Sequence, residues 1–570
     1  MQRKIQTRVT PESPRPKQRP NSCHPDGPSR LPRNVVCINL TDCKYEVIRH
    51  VCKNMLNWQV ITNDETNMNC DIMWNDTACN QDILGRLKSY QKLNHFPGIF
   101  TIARKNFLAA NLKKMKKQFP NHYDFFPLTY CLPYEKNLVF KEFEDKEKIA
   151  NRVFIVKPEA SSQGRGIFLA RRLDEIPLNE GYVVQKYVKH PLLVDNLKFD
   201  LRIYVLITSV APLRIYLYKD GLARFATEEY IIPNAKNLAN MCQHLTNYAI
   251  NKFSKKFQFD SDPDKAETGH KRSMSSIWQL LEAQGIDTAV IWENIRKSII
   301  KTICSIQPIL KHIYVSSQPD DFTSGMCFEI LGFDVLIKKN LKPIILEVNH
   351  APSFNSDTPY DFKVKSMMLK NAFEILDVSL ERRNFIIEKE RIKFQERFKQ
   401  GIRAKVPQEE KDRSKAQYLA ELEEKIKPKL GLFEQIYPPE NSDEPYDEFM
   451  SFSEKVHLAQ TGVDNSKKRQ KVVTEKANQS LVRRTTFQEQ KENRMQNAVD
   501  DIRLKQKVKY EQIQEIVNRL FLRNEQKNNQ AKQRLEKAKT YELETKARLG
   551  DCLKPNVVTF DFSKIGGPFI

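Results

Sequence analysis

The sequence predicts an α+β fold, on three observations. Strand-like runs crowd the segment from Asn151 to about Phe362. Helical periodicity lies between them at 273–283 and 289–312. A separate β-α-β pattern starts at Asn34. Helices against a sheet bury the apolar faces of both, and this is the layered arrangement the pattern fits.

The elements follow in chain order. Residues 1–33 are rich in Pro, Arg and Ser, lack apolar periodicity and read as a disordered basic tail. VVCINL (35–40) reads as a short buried strand, followed by a helix-like stretch through Trp58 and an apolar–polar alternation near CDIMW (70–74). Residues 34–125 are therefore read as a small N-terminal α/β domain. KNFLAANLKKMKKQ (105–118) reads as a basic amphipathic helix. Residues 126–375 carry the strand runs VFIVKP (153–158), YVVQKYV (182–188), DLRIYVLI (200–207), LRIYLYK (213–219), CFEILGFDVLI (327–337) and PIILEVN (343–349). Residues 364–400 read as one long charged helix, and 376–437 as a cationic helical region expected to bind a polyanionic lattice. PPENSDEP (438–445) is a linker, and 438–570 is a basic, partly helical or disordered extension. Residues 451–550 hold 23 Lys/Arg against 13 Asp/Glu, with one apolar stripe, IQEIVNRLFL (513–522). They read either as solvated helix and disorder or as a cationic arm for a polyanionic surface.

Composition bounds the function. A chain of 570 residues has room for two or three domains. With 40% hydrophobic and 29% charged residues, part of it is expected to stay outside a packed core. The net charge of +22 favours acidic partners, whether nucleic acid, anionic membrane or an acidic protein surface. The 11 cysteines are irregularly spaced without a CxxC pair, which predicts reduced thiols and no zinc site. The N-terminus has Pro and charge where a signal peptide needs an apolar run, and no run of 18 apolar residues predicts a membrane span. No aromatic-interleaved or zinc-finger pattern supports nucleic-acid binding.

Three clusters carry chemistry. Lys157 ends a strand before SSQGRG (161–166), so an ammonium and glycine-freed N–H groups can meet phosphate. Alone this reads equally as a hairpin loop, because neither GxxxxGKS nor GxGxxG is present. In KFDLRIY (198–204), period two puts Lys198, Asp200 and Arg202 on one strand face and Phe199, Leu201 and Ile203 on the other. Three charges in an apolar strand must pair or bind something, so this is a salt-bridge network or a ligand site. Arg224, in GLARFAT (221–227), can join that face. In the third cluster Asp334 sits on one strand, while Glu347 and Asn349 share a face of the next. Such an oxygen set suits Mg²⁺ completed by phosphate oxygens; the alternative is a buried carboxylate pair satisfied by backbone or arginine.

The clusters come in the order of an ATP-grasp ligase. NHFPG (94–98), VKP, QGRGI, VVQKYV, KFDLRIYVLI, GLARFAT, HLTNYAINK (244–252), CFEILGFDVLI and LEVNHAPSF (346–354) form a series that resembles the tubulin tyrosine ligase-like family, in particular its polyglutamylase branch. The resemblance covers roughly 90–375 well and 34–90 loosely. It implies an ATP-grasp-like ligase core with a small N-terminal α/β domain and a basic, mainly helical C-terminal extension. It implies ATP and two Mg²⁺ ions as cofactors. Lys157, Gln163, Gly164, Gln185, Lys186, Tyr187, Val188, Lys198, Phe199, Asp200, Thr246 and Asn247 would bind ATP. Arg224, Tyr248, Lys271 and Lys365 would hold free glutamate. Gln163 and His350 would meet the acceptor chain, although His350 also reads as a histidine packed on its strand. Asp334, Glu347 and Asn349 would bind metal, with Arg202 and Glu347 as the catalytic pair. Where the branch often has Gly-Cys before QGRG, this chain has Ser161 and Ser162, which leaves the acceptor preference open.

The implied reaction activates an acceptor carboxylate as an acyl phosphate, which the amine of free glutamate then attacks. The implied partners are tubulin and microtubules through their acidic tails, with 376–437 as the microtubule-binding region, no nucleic acid, no membrane span and a monomeric state. The implied location is the cytoplasm and cytoskeleton, at the cilium, axoneme or basal body. A glycine or tyrosine ligase of the same family, and a non-catalytic microtubule-binding protein, remain the alternatives.

Overall fold

A computed structural model describes residues 34–62, 68–77, 81–145, 152–159, 161, 163–258, 267–399 and 408–461. The N-terminal part is a parallel sheet built from β1 (Cys37–Asp42), β2 (Gln59–Ile61), β3 (Ile72–Asn75) and β4 (Lys92–Leu93), in the order β2-β1-β3-β4. Helix α1 (Glu46–His50) runs into a π-helical turn, Val51–Met55, and crosses from β1 to β2. After β3 come α2 (Gln81–Arg86), α3 (Phe100–Ala103) and α4 (Lys105–Gln118). The last has the bounds expected from its amphipathic pattern and buries Leu108, Leu112 and Met115.

A second, antiparallel sheet follows in the order β5-β8-β6-β7. Its strands are β5 (Thr129–Cys131), β6 (Phe154–Pro158), β7 (Phe168–Ala170) and β8 (Tyr182–Lys186), with α5 (Lys136–Glu144) beside them. The third and largest sheet runs β12-β11-β10-β13-β14. Here β9 (Leu193–Val194) pairs with the start of β10 (Leu197–Val210), which pairs with β11 (Leu213–Phe225) and β13 (Glu329–Ile337). The edges are β12 (Lys271–Ser273) and β14 (Pro343–Asn349). The runs 213–219 and 221–227, read separately from the sequence, form one strand through Gly221. A Cβ at Gly221 would lie 2.4 Å from the Arg202 carbonyl oxygen, so this crossing requires glycine.

Two faces of that sheet are covered differently. Phe199, Leu201, Ile203, Val205 and Ile207 of β10 pack in one core with α8 (Met274–Ala283), α9 (Thr288–Cys304) and α10 (Gln307–Ser317). The predicted helix 289–312 is thus two helices, broken near Ile306. Asp287 caps α9 by accepting from Ala289 and Val290 N–H groups. On the other face, Tyr204, Leu206, Tyr216 and Tyr218 pack with α1 and α11 (Pro359–Ile375). Each fully buried side chain of this kind contributes about 1.5–3 kcal/mol relative to exposure. The face is closed by apolar residues at one end and carries the charged residues of KFDLRIY at the other.

The expected long helix 364–400 is divided into α11 and α12 (Leu380–Lys399), because Asp377 adopts a left-handed backbone at φ 51°. The expectation of a helical 376–437 also needs correcting. After α13 (Gln408–Ile426), β15 (Phe433–Tyr437) adds to the third sheet beside β11. Helix α14 (Tyr446–Thr461), within the predicted extension, docks on α9 and α10 through Tyr446 and Phe449. Glu444 anchors this segment by accepting from Lys301 (2.8 Å) and facing His122 (2.9 Å). The tail 1–33, Ser162, the stripe 513–522 and the basic stretch beyond residue 461 lie outside the described residues. The described cysteines form no disulfide with one another, and no described helix is long and apolar enough to cross a membrane.

Candidate active site

Register brings the charged residues together. Asp200 stands opposite Arg224 on β11, Arg202 stands opposite Asp334 on β13, and Asp334 stands opposite Glu347 on β14. Arg202 donates to Asp334 through Nε (2.6 Å) and Nη2 (3.2 Å). Arg224 donates to Asp200 through Nε (2.8 Å) and Nη2 (2.5 Å), and its Nη2 also lies 2.8 Å from Asp334. Burial alone would raise the Asp334 pKa, but the two guanidiniums hold it well below the usual carboxylate range. Gly332 gives Arg202 its room, since a Cβ there would lie 3.1 Å from the arginine Cδ.

Two basins meet at this cluster. The first is a cleft of about 590 Å³ between β6/β8 and β10/β13/β14. Ile155, Ile167, Tyr187, Val188, Leu245, Leu336 and Leu346 supply an apolar wall, and Lys157, Gln185, Lys198, Asp200, Thr246, Asp334 and Glu347 the polar one. Lys186 lies at its rim. Lys157 Nζ donates to Gln185 Oε1 (2.8 Å). Lys198 Nζ donates to the Tyr187 hydroxyl (2.9 Å) and the His244 carbonyl (2.7 Å). Burial lowers the Lys157 pKa to about 8 and the Lys198 pKa to about 7. Two desolvated lysines facing an apolar slot are poised for a polyanion that carries an aromatic or aliphatic group.

The second basin, about 1480 Å³ and open to solvent, shares Asn247 and Glu347 with the first. Gln163, Arg202, Arg224, Tyr248, Lys271, Asn349 and Lys365 line it, as do Tyr204 and Asp361. Lys271 on β12 and Lys365 on α11 both pair with Asp361, at 2.9 and 2.8 Å. Lys271 Nζ also stands 4.5 Å from the Tyr248 ring centre. Asp361 is fully buried at the start of α11, where Thr358 caps its N–H. The sequence reading missed it, although its spacing of four from Lys365 on one helix was visible.

Some expected positions are placed elsewhere. Phe199 faces away from the first basin and stacks on Phe225, with ring centres 5.3 Å apart. The alternation of β10 puts its side chain in the core, away from the first basin. Gly164 borders neither basin. A Cβ there would lie 2.7 Å from Ile250 Cδ1, so its left-handed turn packs on the short helix α7 (Tyr248–Asn251), which follows α6 (Met241–His244). His350 lies off both basins, in a small cavity with Tyr45, Asn75, Asp76 and His95. Burial, with the charges of His95 and Arg104, lowers its pKa to about 4, and its Nδ1 is buried without a partner.

His95, Glu329 and His350 place potential ligand atoms within 4.8 Å of one another. His95 nevertheless has both nitrogens engaged, Nδ1 with Glu329 (2.8 Å) and Nε2 with the Asn75 carbonyl (3.0 Å). Glu329 and the Asn75 carbonyl are acceptors, while the Asn94 amide nitrogen lies 3.3 Å from Nε2. Burial opposes the charge on His95, yet Glu329 raises its pKa, while burial raises that of Glu329, and the two form a buried hydrogen-bonded pair. It ties the NHFPG segment to β13.

Asp334, Glu347 and Asn349 could together hold a hard divalent cation. No Lys or Arg among the described residues lies within 4 Å of Glu347, whose contact is the Asn349 amide at 3.3 Å. A carboxylate without a direct ion pair, beside a second one and next to an amide, with the Lys157 ammonium across the cleft, fits Mg²⁺.

Comparison with known proteins identifies the family. The tubulin-tyrosine ligase family profile matches residues 85–385. A probable beta-tubulin polyglutamylase of Tetrahymena thermophila is 47% identical over 447 residues, which is 78% of this chain and 37% of that protein. The tubulin polyglutamylase ttll6 of Danio rerio is 39% identical over 417 residues, 73% of this chain and 52% of that protein. The tubulin polyglutamylase TTLL13 of Homo sapiens is 39% identical over 414 residues, 72% of this chain and 49% of that protein. The chain thus spans about half or less of the length of these relatives.

Proposed function

The chain belongs to the tubulin-tyrosine ligase family, and from that premise we propose that it is an ATP-dependent ligase that adds glutamate to glutamate residues of tubulin C-terminal tails. One observation carries the reading: an anion-binding, apolar-walled cleft and a cation-lined basin meet at Glu347 and Asn247. That is the arrangement needed to activate a carboxylate with a nucleotide on one side and to join it to an acidic amine donor on the other.

In this reading Lys157 and Lys198 bind the nucleotide phosphates, while the backbone edge near Lys186–Val188 and the aliphatic wall take the base. Asp334, Glu347 and Asn349 hold Mg²⁺, two ions in the fuller reading. The metal, when bound, neutralises charge on the transferring phosphoryl group. Arg202, held by Asp334, faces that charge from the fixed side of the sheet, so little reorganisation is needed. Arg224, Lys271 and Lys365 attract the carboxylates of free glutamate, with Tyr248 beside them. The chain's own groups thus position both carboxylates and keep the activated acyl group close to the incoming amine. The net charge of +22 supports an acidic protein partner such as the tubulin tails, and with it a place on the cytoskeleton, including cilia.

The test is mass spectrometry of microtubules incubated with the protein, Mg-ATP and equal glutamate, glycine and tyrosine. Glutamate increments on the tails are expected. Glycine or tyrosine increments would overturn the donor assignment, and microtubule binding without any increment would overturn catalysis.

A further inference from the structure

One polar group of the second basin has no task in the scheme above. Tyr204 continues the charged face of β10, two residues beyond Arg202 and six beyond Lys198. Its side chain is fully buried and lines the basin together with Arg224, Lys271, Asp361 and Lys365. Its hydroxyl has no hydrogen-bond partner among the described residues. Folded proteins seldom keep a buried hydroxyl unpaired, and where one persists a ligand, ion or water is the usual explanation.

The surrounding groups differ in this respect. Lys271 and Lys365 are held by Asp361, and Arg224 by Asp200 and Asp334. Their charges are fixed in place but remain available, because an ammonium has three N–H donors and a guanidinium five. The Tyr204 hydroxyl is neutral and unsatisfied, at the point where the apolar packing of Leu206 gives way to the basin. An anion drawn in by the three cations would meet a donor there that needs an acceptor.

We propose that the Tyr204 hydroxyl is a binding group for the amino-acid donor, donating a hydrogen bond to one of its carboxylates. This rests on the reading of the second basin as the glutamate site and adds a neutral contact to it. Asp361 is the positioning residue that holds Lys271 and Lys365 on either side of the same anion.

The substitution Tyr204→Phe removes the hydroxyl and leaves the ring, so the packing with α11 is kept. Initial rates on microtubules are measured for the wild type and the variant with glutamate and ATP varied separately, and thermal unfolding is followed without ligands. The expected result is a rise in KM for glutamate of about tenfold or more, the range for a hydrogen bond to a charged group, with KM for ATP within twofold. The unfolding midpoint should stay level or rise, because the variant loses an unsatisfied polar atom. An unchanged glutamate KM in an otherwise active enzyme would overturn this inference while leaving the ligase reading intact. A parallel rise in both KM values, or a lowered midpoint, would show a structural role and overturn it too. A wild-type protein that uses no acidic amino acid would overturn both.

Discussion

Neutralising one or the other carboxylate of the central pair should have very different consequences for stability. Glu347→Gln keeps shape and removes charge. Glu347 forms no direct ion pair among the described residues, but its charge supports the buried Lys157 ammonium, so a modest loss of about 1 kcal/mol is expected. Turnover should fall about 10²–10³-fold, roughly 3–4 kcal/mol of transition-state stabilisation, because a group that neutralises developing charge is lost. Asp334→Asn is different. Arg202 and Arg224, each 12% exposed, share Asp334, and its loss leaves Asp200 to serve both guanidiniums. Removing one partner of a buried ion network destabilises by about 3–5 kcal/mol. Both variants are measured by denaturant unfolding and by single-turnover glutamate incorporation. Glu347→Gln retaining activity within tenfold of the wild type would refute the metal assignment. Asp334→Asn as stable as Glu347→Gln would refute the reading of Asp334 as the hub of the arginine pair.

Further outcomes follow from the same geometry. Lys157 and Lys198 have folded pKa values, about 8 and 7, below those of unfolded lysine, so between about pH 7 and 10 the unfolded chain binds more protons. Through these groups the empty protein becomes more stable as pH rises across that window. Polyphosphate favours the charged lysines, so ADP binding at pH 8 should take up protons and weaken from pH 7 to 9; calorimetry in two buffers of different ionisation heat checks this, and no uptake would contradict it. Gly221→Ala places a Cβ against the Arg202 carbonyl and should cost about 1–3 kcal/mol in urea unfolding, with loss of ligation. His95→Ala leaves the fully buried Glu329 without its hydrogen-bonded partner and should destabilise by about 3–5 kcal/mol, seen as a lowered unfolding midpoint.

Much of the site was legible because strand periodicity is local. Alternation along KFDLRIY separates Lys198, Asp200 and Arg202 from Phe199, and the same rule puts Glu347 and Asn349 on one face. That alternation also places the Phe199 side chain in the core, facing away from the first basin. Asp361 was less legible, since its helix spacing shows one partner, Lys365, while the other, Lys271, lies 90 residues away on an edge strand.

By itself the sequence determined the strands and helices of the core, the faces their charged residues share and the excess of positive charge. These follow from period two, period 3.6 and side-chain ionisation, each readable within a few residues. Tertiary structure alone decided that Arg224 reaches both Asp200 and Asp334, that β15 returns to the edge of the third sheet, and that Tyr204 is left without a partner. Those are matters of register between strands far apart in the chain, and register is set by packing the whole sheet against its helices.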